Sequence, residues 1–216
     1  MTTQPQPVPK PAKSRLLQDG RDMFWSIAPL LLACIVLAGM LGMCSLQASG
    51  PGKGPAPDYD APAALQADAD ALKIPIRLPQ LSDEWQSNSG SRNGIDGGRT
   101  DPVSRESLRA VSSTVGYLAP SGMYVSLTQS NADEDKLVGS INTDVYPTGV
   151  EDVDGVKWVV YAGGGDEDGR PAEPVWTTRL GGPTGPAQIA ITGAAGTDEF
   201  RTLAAATQTA SPLPAA

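Results

Sequence analysis

Residues 108–129 read LRAVSSTVGYLAPSGMYVSLTQ, two apolar-rich runs separated by Ala-Pro-Ser-Gly. The runs at 108–118 and 123–129 are rich in β-branched and aromatic residues, which favour strands, whereas Pro and Gly between them favour a turn. We therefore predict a β-hairpin whose turn lies at residues 119–122.

Three more strands are predicted further along the chain, at residues 156–162, 174–180 and 187–192, with glycine-rich loops between them. Before the hairpin, the two prolines of residues 74–79 restrict that segment to an edge strand or an extended arm. Residues 86–103 are mostly Ser, Asn, Gly and Asp, and they predict a long loop.

Helices are predicted from capping residues and from the spacing of apolar residues. Leu65 to Lys73 forms a short one, Asn131 caps a second at 132–142, and Thr197 caps a third at 198–207. The residues predicted to face inward are Leu137, Val138 and Ile141 in the second helix and Phe200, Leu203 and Ala204 in the third.

The same order of predicted elements, strands and then a capped helix, occurs twice in the chain. Residues 128–141 and residues 192–206 match in this order. One interpretation is a duplicated strand-strand-helix unit. The predicted fold class is α+β: an antiparallel sheet with helices packed on one face, preceded by one transmembrane helix.

The transmembrane prediction rests on residues 23–46, which include no charged residue. A helix of that length covers about 36 Å, against roughly 30 Å of hydrocarbon. Small residues at Ala38 and Gly42 share one helix face, a spacing that lets two such helices pair. Cleavage after Ala48-Ser49-Gly50 is the alternative to an anchor that stays in place.

The orientation follows from Lys10, Lys13, Arg15 and Arg21 before the apolar run, against only Lys53 close behind it. The positive-inside rule then places the N-terminus in the cytoplasm and the C-terminal domain outside the plasma membrane. The predicted organisation is a disordered cytoplasmic tail at 1–22, a transmembrane helix at 23–46, a Gly/Pro-rich linker at 47–62, an extracytoplasmic domain at 63–208 and a disordered tail at 209–216.

The folded part is acidic, since the net charge of −8 includes a net positive segment at residues 1–22. This charge argues against nucleic acid and anionic lipid headgroups as its partners. The chain has no histidine, and both cysteines, Cys34 and Cys44, lie in the apolar run. The exported part therefore lacks the usual general base, the commonest metal ligand and any disulfide.

Motifs for common chemistries are absent from the sequence. It has no Gly-x-Ser-x-Gly, no Ser-x-x-Lys and no phosphate-binding loop, so no catalytic, cofactor or metal residues are assigned. Acidic clusters at 133–135, 151–154 and 166–168 favour solvated turns over a calcium site, and Asp154-Gly155 is typical of a hairpin turn.

Trp85, Trp158 and Trp176 are the large aromatic residues of the exported part. Core filling is the simplest role for them, and a groove for glycan, lipid or peptide is the alternative. Trp85, next to the predicted polar loop, is the best candidate for ligand or partner contact, together with Tyr124.

The hairpin, read as VGYLAPSGMYVSLTQS at residues 115–130, also supports a family resemblance. The supporting stretches are Arg21-Asp22-Met23, the interval from Leu78-Pro79 to Trp85-Gln86, and Ile191-Thr192-Gly193-Ala194-Ala195 leading to Leu203-Ala204. On these motifs the chain resembles an uncharacterised actinobacterial membrane-protein family, domain of unknown function 4245, over most of residues 21–206. The resemblance implies an N-terminal anchor, an exported α+β domain and an actinobacterial envelope, and it carries no catalytic residues over.

The resulting functional hypothesis is a single-pass membrane protein whose exported domain binds an envelope protein, glycan or lipid without catalysis. The alternative is a hydrolase or transferase of envelope polymers that uses carboxylates. Two facing carboxylates with perturbed pKa values would favour the enzyme, and a shallow aromatic patch would favour binding.

Overall fold

The computed structural model describes residues 25, 27–34, 36, 57–165 and 172–215. The chain divides into two units, Met1–Gly54 and Pro55–Ala216, and every described residue of the first is helical. Within the described residues, no helix is both long enough and apolar enough to cross a membrane. The predicted transmembrane helix at 23–46 lies largely outside the described residues, as do the tail at 1–22 and most of the linker at 47–62.

The second unit contains a seven-stranded antiparallel sheet, which confirms the α+β class. Its strands are β1 (Gln86–Thr100), β2 (Ser107–Leu118), β3 (Tyr124–Ser130), β4 (Tyr146–Val153), β5 (Val156–Ala162), β6 (Val175–Leu180) and β7 (Ala187–Gly193). The described helices of this unit are α1 (Ala61–Leu72), α2 (Glu134–Ile141) and α3 (Thr197–Thr209). The strand order is β1-β2-β3-β7-β6-β5-β4, so β1 and β4 are the edges.

The hairpin predicted at residues 108–129 is confirmed as β2 and β3. Its register pairs Tyr117 with Val125, and the turn is closed by the Ala119 amide, which donates to the Met123 carbonyl at 2.9 Å. The three strands predicted in the second half of the chain correspond to β5, β6 and β7. These segments are predictable because their apolar residues are buried in the sheet.

Helices pack on both faces of the sheet, so the prediction that they share one face is wrong. Ile189 and Ala190 of β7 point to opposite faces because side chains alternate along a strand. Ile189 belongs to the larger core together with Leu65 of α1 and Phe200 of α3, whereas Ala190 packs with Leu137 of α2. Both faces of the central strands carry apolar residues, and each needs a helix to cover it.

The predicted duplication is matched by the order of the strands, since β2-β3 and β6-β7 lie on either side of the centre of the sheet, but not by the placement of the helices. A two-fold rotation that relates the antiparallel neighbours β3 and β7 leaves the faces of the sheet unchanged. It would therefore put α2 and α3 on the same face, whereas they lie on opposite faces.

The two edge strands, β1 and β4, are not predicted by the sequence. The predicted loop at 86–103 is wrong, since β1 pairs with β2 from Gln86 opposite Leu118 to Thr100 opposite Ser107. Most β1 side chains are exposed, so they show no apolar alternation. Backbone hydrogen bonds pair this strand with its neighbour along its length, and Ser, Asn and Gly provide them as well as apolar residues do.

The turn between β4 and β5 is formed by Asp154 and Gly155, with φ of 50° and 84°. Two successive positive φ angles are what a two-residue hairpin turn requires, and glycine adopts them without steric cost. The Asp152 carboxylate accepts a hydrogen bond from the Gly155 amide at 2.9 Å. The interpretation of this acidic cluster as a turn is confirmed.

Both predicted caps are displaced in the structure. Helix α2 begins at Glu134 after Asp133, and the Asn131 side chain instead accepts from the Val111 amide at 2.9 Å. Helix α3 begins at Thr197 after Gly196, whose amide donates to the Glu199 carboxylate at 3.0 Å. The inward positions are confirmed: Leu137, Val138, Phe200, Leu203 and Ala204 are buried, and Ile141 packs against the smaller core.

An extended arm follows α1, as predicted for residues 74–79, and Arg77 at its centre forms a bridge with Pro212. The buried side chain of Gln129 accepts from the Arg77 amide and donates to the Arg77 carbonyl, both at 2.8 Å. The Leu213 amide donates to the Ile76 carbonyl at 2.8 Å. The predicted disorder from residue 209 is therefore corrected, since the chain pairs with the arm as far as Leu213.

Candidate functional site

A groove beside Trp85 opens at the end of the sheet where β1 begins and β2 ends. This Trp85 groove has a volume of about 240 Å³. Its apolar lining consists of Ala61, Pro62, Leu78, Pro79, Leu81 and Trp85. Typical small-molecule pockets have volumes of roughly 300–1,000 Å³. The groove therefore suits one side chain or a short segment rather than a whole ligand.

Tyr117 lines the same groove, and its hydroxyl is buried. The residue is 4% exposed, and its Oη has no hydrogen-bond partner among the described residues. Burial raises the pKa of this phenol, so it stays protonated at neutral pH and can donate. An unpaired buried hydroxyl costs about 1–3 kcal/mol, which a ligand with an acceptor group would offset.

The other two large aromatic residues fill the core, as the simplest interpretation predicts. Trp158 is completely buried and Trp176 nearly so. The Trp158 indole donates to the Gln208 side chain at 3.0 Å, and the Trp176 and Phe200 ring centroids are 5.4 Å apart. Trp85, which is half-buried, is the tryptophan of this unit that a ligand can reach.

Tyr124, the second contact predicted from the sequence, lies on the other face of the sheet. Its neighbour Val125 is buried in the larger core, and alternation along β3 turns Tyr124 away from it. Tyr124 is 41% exposed, with its Oη 3.5 Å from the Ser89 hydroxyl. The structure does not bring Tyr124 and Trp85 together.

A second depression, the basic cleft, lies at the opposite end of the sheet, where β1, β3 and β6 end. Its volume is about 320 Å³, and its charged lining residues are Lys73, Arg99, Arg179 and Asp133. The Asp133 carboxylate accepts from the Thr100 amide at 2.9 Å. The cleft is therefore net positive, in a part of the chain that is acidic as a whole.

In the part of the chain that the structure describes, no group of three or more acidic side chains is placed to hold a metal ion. A backbone hydrogen bond from Ser104 lowers the pKa of Asp101, and one from Ser121 lowers the pKa of Glu199. A general acid needs a raised pKa instead. The cluster at 166–168 lies outside the described residues.

A family model described as "Protein of unknown function (DUF4245)" matches residues 15–207, most of the chain. The chain belongs to this family. Neither a curated protein nor a solved structure matches it. Membership in DUF4245 thus identifies the domain as one of unknown function, and the chemistry of the site has to be argued from its own residues.

Four residues of these two depressions are not singled out by the sequence. Tyr117 belongs to an alternating strand and is indistinguishable there from an ordinary core tyrosine. Lys73, Arg99 and Arg179 come from three separate elements, and no local spacing relates them. These three cations come together because α1, β1 and β6 all end on this side of the domain.

Proposed function

We propose that this DUF4245 protein is a single-pass membrane protein of an actinobacterial envelope whose extracytoplasmic domain binds a partner without catalysis. The Trp85 groove is its binding site, and the occupant is an apolar side chain in a peptide segment of an envelope protein. A glycan or lipid occupant would be larger than the groove accommodates.

The anchor is supported by the uncharged run at 23–46 and by the helical residues 27–34. Leu30, Leu31 and Leu32 are at least 57% exposed there, and consecutive exposed leucines on a helix are typical of a surface covered by lipid. The excess of basic residues before the run supports a cytoplasmic N-terminus. Pairing of two such helices through Ala38 and Gly42 is part of the same proposal.

The binding site is carried by one observation: the Tyr117 hydroxyl is buried without a partner beside the half-buried Trp85. Buried hydroxyls are normally paired, so an unpaired one on a residue that lines a groove supports an acceptor supplied by a partner. A peptide can supply both an apolar group and an acceptor. One of its side chains would pack against Trp85 and Leu78, and one of its backbone carbonyls would accept a hydrogen bond from Tyr117.

The experiment is photo-crosslinking of the full-length chain in intact membranes, with a photoreactive residue at Gln80 on the groove rim. We expect an adduct that is reduced at least tenfold by Trp85→Ala, because the ring forms one wall of the groove. Tyr146→Ala removes an aromatic residue that is 59% exposed and outside the groove, and it should leave the adduct unchanged.

Equal adduct yields from the two variants would sink the proposed site, as would an adduct that contains no peptide. The anchor has its own test: a reporter fused to the C-terminus should be active outside the cytoplasm, and carbonate should not extract the chain. A reporter active only in the cytosol would contradict the proposed orientation.

The alternative enzyme would need two facing carboxylates, at least one with a raised pKa. Among the described carboxyls with shifted pKa values, Asp101 and Glu199, both shifts are downward. No observation on the described residues favours that alternative over binding.

A further inference from the structure

The outer edge of β1 is one of the two edges of the sheet, and its backbone is open over a regular stretch. Strand β1 pairs with β2 without a register shift from Ser89 to Ile95. Among the described residues, no further strand lies beyond it. We propose that this stretch binds an extended, uncharged peptide segment of a partner protein as an added strand. The proposal does not depend on the Trp85 groove.

The position of Val111 in β2 shows which backbone groups of β1 face outward. The Val111 amide donates to the Asn131 side chain at 2.9 Å, and the Val111 carbonyl accepts from the Ser130 hydroxyl at 2.7 Å, both on the β3 side of β2. Residues opposite each other in an antiparallel pair point their backbone groups either toward each other or away from each other. Gly94 pairs with Val111, so the N–H and C=O of Gly94 point to the open edge.

Alternation along the strand extends this direction to Gly90 and Arg92. Together with Gly94 they offer three N–H donors and three carbonyl acceptors, and none of these groups bonds to another described residue. A row of unpaired backbone groups in strand geometry is complementary to the backbone of another extended chain. The hydrogen-bonding pattern therefore specifies an extended peptide rather than a glycan or a lipid.

Contacts within the domain close the open stretch at both ends. The Ser87 carbonyl accepts from the Tyr59 amide at 3.1 Å, and the Gly98 carbonyl accepts from the Asp133 amide at 2.7 Å. Residues 90–94 between them span roughly 13 Å, at about 3.3 Å per residue. A second copy of the domain would bring its own Tyr59 and Asp133 segments against these ends, so the space favours a slender peptide.

The charges beside the open stretch are paired within the domain. Arg92 forms an ion pair with the largely buried carboxylate of Asp68 in α1, and the Arg109 guanidinium lies 3.7 Å from the Asp96 carboxylate. The other side chains of the stretch belong to Ser, Asn and Gly. An uncharged segment complements this neutral edge, whereas the acidic character of the domain repels an acidic segment.

The other edge strand, β4, carries features that hinder such pairing. Pro147 has no N–H to donate, the register shifts between Pro147 and Gly149, and Glu151 and Asp152 add carboxylates. Proline, irregular pairing and charge are the usual protections of a sheet edge. The regular part of β1 has no proline, and its one charged side chain is paired, so β1 is the edge suited to strand addition.

The experiment measures amide hydrogen exchange by NMR in the purified full-length chain, kept in detergent micelles, with and without a designed heptapeptide. The peptide alternates Val and Thr, has uncharged ends and is N-methylated at its threonines, so that only one of its edges can pair. We expect the amides of Gly90, Arg92 and Gly94 to exchange at least tenfold more slowly at saturating peptide. The amides of Ser91 and Asn93 point to β2, so they should be protected with and without peptide.

Two controls test whether backbone pairing is responsible. A peptide that is also N-methylated at its valines can pair by neither edge, and it should give no protection. In the chain, Gly94→Pro removes one outward N–H and should weaken binding at least fivefold, whereas Gly94→Ala keeps that N–H and should alter the affinity less than twofold. Both substitutions introduce a Cβ that meets the exposed end of the Arg109 side chain, so they differ chiefly in the amide.

Absence of added protection at Gly90, Arg92 and Gly94 in the unmodified chain would overturn the proposal, whether or not the proline variant folds. Equal weakening by Gly94→Pro and Gly94→Ala would overturn it as well. Protection that rises with protein concentration in the absence of peptide would identify a second copy as the occupant and overturn the peptide assignment. Trp85→Ala should leave the protection unchanged, so the β1 edge and the Trp85 groove can fail independently.

Discussion

The two ends of the sheet differ in chemistry although one segment, residues 73–85, contributes to both. Lys73 and Pro75 line the basic cleft, and Leu78, Leu81 and Trp85 line the groove at the other end. Helices cover much of both faces of the sheet, so the ends are where segments from distant parts of the chain meet. The chemistry of each end therefore depends on which residues reach the strand ends there, not on the average composition of the domain.

The largest effect should come from Gln129→Leu, which removes the side chain that binds the middle of the segment shared by the two ends. Gln129 holds both polar groups of the Arg77 backbone, in the middle of the shared segment. The substitution leaves a buried N–H and a buried carbonyl unpaired, so it should lower the free energy of unfolding by about 3 kcal/mol.

Urea unfolding followed by circular dichroism measures this effect, and Gln80→Leu at an exposed position of the same segment is the control. A loss below about 0.5 kcal/mol, the usual range for surface substitutions, would show that the arm is held by other contacts.

Two matched substitutions test the groove end, and they should change the free energy of unfolding in opposite directions. Tyr117→Phe removes an unpaired buried hydroxyl and should raise the free energy of unfolding by about 1 kcal/mol. Tyr161→Phe removes a hydroxyl that donates to the Glu134 carboxylate at 2.9 Å, and it should lower that free energy by about 0.5–1 kcal/mol.

Burial and the hydrogen bond to Glu134 raise the pKa of Tyr161 to about 12, so both phenols are protonated at neutral pH and the comparison is between like groups. Destabilisation by Tyr117→Phe would mean that its hydroxyl is paired in the free protein, and the argument for the groove would lose its main support.

The smallest effect should come from Glu199→Gln, because the Glu199 side chain joins α3 to the β2–β3 turn by hydrogen bonds at the surface. The Glu199 carboxylate accepts from the Ser121 amide and hydroxyl and from the Gly196 amide, each at 3.0 Å. The backbone hydrogen bond from Ser121 is the largest cause that lowers its pKa in the folded state. Because the group is largely exposed to solvent, its contribution should be only about 0.3 kcal/mol.

The sign of the pH dependence follows from the lowered pKa. The stabilisation is fully present above the unfolded-state carboxyl pKa of about 4.3 and is lost as the pH falls through the lower folded-state value. Unfolding midpoints of Glu199→Gln and of the parent should differ at pH 7 and converge in acid, with Asp198→Asn as the control. A difference that persists in acid would assign the effect to packing.

The sequence predicts those elements whose side chains are buried in a regular pattern. The hairpin at 108–129 and strands β5, β6 and β7 follow from β-branched and aromatic residues between turns, and Leu137 and Phe200 follow from helical spacing. Strands β1 and β4 are missed because they lie at the sheet edges and most of their side chains are exposed, which leaves no apolar pattern. The caps are displaced because Asn131 pairs with a neighbouring strand instead.

The candidate site is predicted only in part. Trp85 stands out because it adjoins a polar stretch, and the groove is where the structure places it. The overall acidity argues against anionic partners, but that argument concerns the average charge of a surface. It does not predict that three cations meet in one cleft.

The α+β class, the central hairpin and the family follow from local periodicity, turn residues and shared motifs, all of which can be read along the chain. The helices on both faces, the contact of Gln129 with the Arg77 backbone, and the cleft shared by Lys73, Arg99 and Arg179 are visible only in the folded domain. These contacts join residues far apart in the chain, so their geometry exists only once the sheet order is set.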